Sequence, residues 1–180
     1  MDSPQETAIR QLIEIIFEPT EIDPSPVVKY VHEITGTEHD WIELEIEPSF
    51  AFSDGMWEKF EELTGVPLSK APTLGADHGA WGDFEFWAVQ ICDALGVDRN
   101  FTWDGEAAME KTRSGGIDPV PQGTIALDEW LQPLGFRFVA FDDESDEYHG
   151  FAVRSSELKR VLELAQPAEL RLRTTDSFVR

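Results

Sequence analysis

The residues best suited to hold a metal or move a proton are His32, His39, His78 and His149, and they are far apart in the chain. Zinc and non-haem iron sites usually show a short pair such as H-x-x-x-H or H-x-D, with further ligands behind it. Here the adjacent pairs are His39-Asp40 and Asp77-His78, and neighbouring side chains diverge in a strand or helix. Surface or hydrogen-bonded histidines are the simpler account, so neither a metal nor another cofactor is expected. The run Asp142-Asp143-Glu144-Ser145-Asp146-Glu147 offers oxygen ligands, but a helix–loop–helix calcium site needs glycine sixth and glutamate twelfth. Counted from Asp142, those places hold Glu147 and Val153. A hairpin turn kept soluble by its charges fits better.

Covalent chemistry has little support. Cys92 falls on the apolar stripe of an expected helix, where a cysteine is usually core rather than a reactive thiolate. No G-x-S-x-G elbow, phosphate-binding G-x-x-x-x-G-K-[ST] loop or G-x-G-x-x-G turn occurs. Carboxylate pairs suited to acid and base roles are unavoidable among 36 acids, so they discriminate nothing. No catalytic residue is assigned. The tryptophans are more informative. Trp57, Trp87 and Trp130 lie on apolar helical stripes, whereas Trp81 and Trp103 stand in or beside loops near Asp77, Asp83 and Asp104. An indole beside a carboxylate can grip a partner's Arg or Lys; plugging the loop onto the core is the competing role.

The elements that must position these residues follow from periodicity. Ser3-Pro4-Gln5-Glu6 reads as a capping box opening a helix with Ile9, Leu12, Ile13 and Ile16 on one face. Ser25-Pro26 opens a second helix, running towards Gly36. Residues 41–47, WIELEIE, alternate as a strand with Glu43, Glu45 and Glu47 on one face. Ser53-Asp54 is expected to cap a short helix with Trp57, Phe60 and Leu63, ended by Gly65, and residues 66–83 read as irregular. Asp83 caps the most amphipathic helix, with Phe84, Trp87, Ala88, Ile91, Cys92 and Leu95. A second irregular stretch, 113–123, is the one place for an internal boundary in what otherwise reads as a single domain over 1–180. Thr124 opens a further helix closed by Gly135. Then come strand 136–141, a polar turn 142–147, strand 148–153, and a helix with Leu158, Val161, Leu162 and Ala165 inward. Residues 169–173 add an edge strand. The expected fold is α+β: a small, mainly antiparallel sheet covered by several amphipathic helices.

Charge sets the function classes. The 180 residues hold 36 acids and 14 bases, a formal charge of −22, and the last thirty residues, with 4 acids and 6 bases, are the only basic stretch. With 12 Phe and 6 Trp the chain has ample core material, which excludes a disordered acidic tail. Phosphates repel such a surface, so direct nucleic-acid or anionic-lipid binding is not expected. The single cysteine allows no intrachain disulfide, and neither a secretory signal nor a spanning apolar segment is evident. A cytoplasmic location is therefore the default. Self-repulsion at −22 needs compensation, either from a salty cytoplasm or from a basic partner.

Residues 134–165, LGFRFVAFDDESDEYHGFAVRSSELKRVLELA, together with FTWDGEAA at 101–108, resemble the closing strand–turn–strand–helix of small uncharacterised bacterial domains. Some such domains are similar to the immunity proteins of bacterial toxin systems. The resemblance covers the second half of the chain, and its motifs are structural, so it carries over no catalytic residue. It implies a non-enzymatic inhibitor that covers a basic site on a toxin or nucleic-acid enzyme. The candidate contacts are Glu43, Glu45, Glu47, Trp81, Asp142, Asp143, Glu144, Asp146 and Glu147. The alternative is an enzyme of unrecognised type, its acidity an adaptation to salt, with a site near Asp77 and His78.

Overall fold

The computed structural model describes residues 3–35, 38–39, 42–45, 48–77, 81–98, 100–141 and 147–178. The first helix, α1 (Pro4–Phe17), starts on the expected capping box: Ser3 accepts from the Glu6 amide while the Glu6 carboxylate accepts from the Ser3 amide. After α2 (Ser25–Ile34) a small hairpin pairs β1 (Glu38–His39) with β2 (Ile42–Glu45), inside the strand expected over 41–47, whose ends lie outside the described residues. The helix expected to begin at Ser53-Asp54 is already running. α3 (Pro48–Ser53) passes into a widened π turn at Asp54–Glu58, and α4 (Phe60–Thr64) follows, closed by Gly65 in the left-handed conformation at φ 68°.

The stretch 66–83 is not irregular throughout. It contains β3 (Thr73–Asp77). Helix α5 (Phe84–Ala94) then buries Phe84, Ala88, Ile91 and Cys92, as its spacing predicts. A helix not read from the sequence, α6 (Gly105–Arg113), is capped by Asp104, and α7 (Pro119–Leu131) starts five residues before Thr124, with proline at its first position. The hairpin of β4 (Phe136–Phe141) and β5 (Glu147–Arg154) is as expected. α8 (Leu158–Ala165) differs in its face: Leu164 is buried while Leu162 points into solvent. The edge strand β6 (Leu172–Thr174) closes the sheet slightly later than 169–173.

The fold is α+β. Four antiparallel strands lie in the order β3-β5-β4-β6, and alternation along each strand divides the core into two layers. Val139, Phe141, Phe151 and Val153 meet the buried faces of α1, α2 and α8 together with Phe52, Met56, Trp57 and Phe60. From the opposite face, Leu74, Phe138, Ala140 and Ala152 meet α5 and α7. Gly150 allows this stacking, since a Cβ there would lie 2.4 Å from the Phe138 ring and 2.6 Å from the Val139 carbonyl oxygen. Among the described residues no helix is long and apolar enough to cross a membrane.

Candidate functional site at the acidic end of the sheet

Strand β3 decides where the charged residues meet. Its register with β5 sets Thr73 opposite Phe151, Gly75 opposite His149 and Asp77 opposite Glu147. Asp77 and Glu147 come from stretches that the sequence offers as two separate candidates, and here they are cross-strand partners at one end of the sheet. Like charges directly opposite one another destabilise a sheet by a few tenths to about 1 kcal/mol. The small hairpin repeats the pattern, with Glu38 opposite Glu45. Of the other expected contacts, Glu43 lies in β2, and Trp81 opens a single 3₁₀ turn (Trp81–Asp83) a few residues beyond Asp77. Glu47, Asp142, Asp143, Glu144 and Asp146, along with His78, lie outside the described residues.

Behind this end of the sheet stands an aromatic group that the sequence does not reveal. The π turn is closed by the Lys59 amide donating to the Asp54 carbonyl over 2.8 Å. Such widened turns are rare and often occur at functional positions. The turn carries Trp57, whose ring centroid lies 5.1 Å from that of His149 and 5.4 Å from that of Phe141, the latter edge-on. Gly75 is what lets them meet: a Cβ there would lie 3.0 Å from His149 Cδ2 and 3.3 Å from Trp57 Cδ1. The indole Nε1 of Trp57 and the hydroxyl of Thr73 are both buried without a hydrogen-bond partner among the described residues. Each such group costs about 1–3 kcal/mol in lost hydration. Asp54, at the head of the turn, accepts from the Tyr30 hydroxyl. Burial first, and then the Asp54 carboxylate, raise the Tyr30 phenol above its ordinary range.

Other polar centres serve the fold. Cys92 is fully buried, and loss of hydration pushes its thiol up to about 11, so it stays protonated and unreactive near neutral pH. Asp128, also fully buried, accepts both Nε and a terminal nitrogen of Arg137 at 3.0 Å, the Phe138 amide at 2.7 Å and the Thr175 hydroxyl at 2.7 Å. It ties α7 to β4 and to the 3₁₀ turn after β6. Its hydrogen bonds hold the Arg137 guanidinium above its ordinary value. A groove of about 380 Å³ between α1 and α2 is lined by charges of both signs, including Glu6, Arg10, Glu14, Lys29 and His32. Among the described residues no three His, Cys, Asp or Glu side chains converge as metal ligands would. Trp103 packs on Phe84, the core-plug role, with its own Nε1 buried and unpartnered among the described residues. Phe86, unremarked in the sequence, is the most exposed large apolar side chain among those described, at 63 %, on the helix that packs beside β3.

Residues 81–175 match a family described as a domain of unknown function (DUF6630). The matched span runs from Trp81 through the Asp128 centre to β6, and it stops short of β3 and Trp57. No curated protein and no solved structure matches the chain.

Proposed function

The chain belongs to this family, and we propose that it is a non-enzymatic acidic binding protein, an immunity protein or inhibitor that covers a basic site on its partner. One observation carries the reading. The 14 bases cannot balance 36 acids, and six of those bases are already paired within the fold. Lys29, Lys59, Lys159, Arg113, Arg137 and Arg154 each pair with a carboxylate of the chain itself. What remains is a surplus of carboxylates, with Asp77 set against Glu147 and Glu38 against Glu45 where either pair would be more stable with one charge removed. An arrangement that weakens the free protein is useful if a cationic partner relieves it.

The mechanism is electrostatic. Long-range attraction steers the encounter and raises the association rate, and buried aromatic anchors then slow dissociation. The acids at 43–47 and 142–147 supply the field in this account, and Trp81 and Phe86 supply the anchors. Reversing the charges at 142–147 and, separately, at 43–47 tests it against a purified basic partner. The expected result is slower association for at least one variant, with the difference shrinking as salt is added. Unchanged affinity for both variants contradicts it. The competing account, an enzyme with a site near Asp77 and His78 whose acidity is salt adaptation, predicts a different pattern: stability that needs concentrated salt, and no basic partner.

A further inference from the structure

Strand β3 is an edge of the four-stranded sheet, and among the described residues no strand pairs with its outer side. Which of its backbone groups face outward follows from the ladder. The Ala152 amide donates to the Pro72 carbonyl at 2.8 Å, so residues 72, 74 and 76 direct their hydrogen bonds inward to β5. Thr73, Gly75 and Asp77, the alternate residues, therefore turn their amides and carbonyls to the outer side; Thr73 is buried there, and the edge opens to solvent at Gly75. Natural edges are usually blunted by lysine, proline or a bulge. Within Thr73–Asp77 there is no lysine and no proline, and the register with β5 runs unbroken. Gly75, at its centre, is exposed and has no side chain to hold another backbone away.

We infer that this edge is the docking strand for an extended, lysine- or arginine-bearing segment of the partner, which adds to the sheet beside β3. The inference rests on the binding reading above and names its contact. Main-chain bonds centred on Gly75 and running on to Asp77 supply affinity, as in strand addition generally. The net charge of −22, with two acidic residues, Asp77 and Glu147, in register at this end of the sheet, selects a cationic segment. A second copy of the chain is the wrong occupant. Two molecules that each carry −22 repel one another.

The test titrates the full-length protein with a short peptide alternating lysine and valine, and with the same peptide N-methylated at all its central amides. N-methylation removes the donors and leaves the charge. The expected result is salt-sensitive binding of the first peptide, slowed amide exchange at Gly75 and Asp77, and affinity lower by about tenfold or more for the second, as loss of two or three main-chain bonds implies. Equal, salt-sensitive binding of both peptides with no change in exchange at Gly75 overturns the edge assignment and leaves the acidic binding surface standing. Failure of both peptides to bind at low salt overturns the two together. No variant of the protein is needed, so misfolding cannot imitate either outcome.

Discussion

Two carboxylate centres, one on helix α7 against β4 and one on strand β3, have opposite character. Asp128 is fully buried and accepts from a guanidinium fork, a backbone amide and a hydroxyl, so its charge is matched within the fold. Asp77 stands in register with Glu147, so two acidic residues are cross-strand partners. Buried charge is tolerated only with a full set of partners, and Asp128 has them. Like charges in register on neighbouring strands carry a cost rather than a gain, and in the binding account a cationic partner offsets it. Charge that serves the fold and charge available for binding are thus separable by what surrounds each.

Substitutions sort along the same line. Asp128→Ala strands the Arg137 guanidinium and the Phe138 and Thr175 donors, and is expected to destabilise by about 3–5 kcal/mol, read as a lower urea midpoint. Gly75→Ala pushes a methyl towards His149 and Trp57 and is expected to lose about 1–3 kcal/mol; no loss would mean that the two rings yield easily. Thr73→Val replaces an unpartnered buried hydroxyl by a methyl, and is expected to be neutral or to raise stability by about 1 kcal/mol. A clear loss there would reveal a partner for that hydroxyl. Asp77→Asn, which relieves the pair with Glu147, is expected to raise stability by about 0.2–1 kcal/mol at low salt and by less at high salt. A drop in stability would erase the contrast with Asp128.

Alkaline pH probes the interior. The Cys92 thiol, 9.0 in its ordinary state and about 11 in the fold, is held protonated by the native structure, and the Tyr30 phenol is shifted in the same direction. Both contributions are complete below the unfolded values and decline as pH rises through the folded ones. Thermal midpoints should therefore fall above about pH 9, and Tyr30→Phe should flatten the upper part of that fall. An identical profile for the variant would show that Tyr30 takes no part.

Sequence reading succeeded where pattern is strong and local. The 136–153 hairpin sets two apolar runs on either side of an acidic stretch, the Ser3 capping box is a local motif, and the buried residues of α5 recur at helical spacing. It failed at β3, where Leu74-Gly75-Ala76 has weak strand propensity and three nearby glycines suggest a loop. That omission kept Asp77 apart from Glu147, since only long-range pairing joins them. The π turn at Asp54–Glu58 has no sequence signature, so the contact of Trp57 with His149 could not be foreseen. Asp128 was hidden as one polar residue in a helix, because its partners come from residues 137, 138 and 175.

The measurement that decides between charge kept for binding and charge kept for salt is a tagged capture from native lysate, with the natural chain and a chain reversed at 142–147 run side by side. Columns are washed at low and then high salt, and bound proteins are identified and quantified. The account predicts one stoichiometric basic protein, held by the natural chain at low salt, released at high salt and missing from the reversed chain. Equal retention by both chains, or none by either, would contradict it.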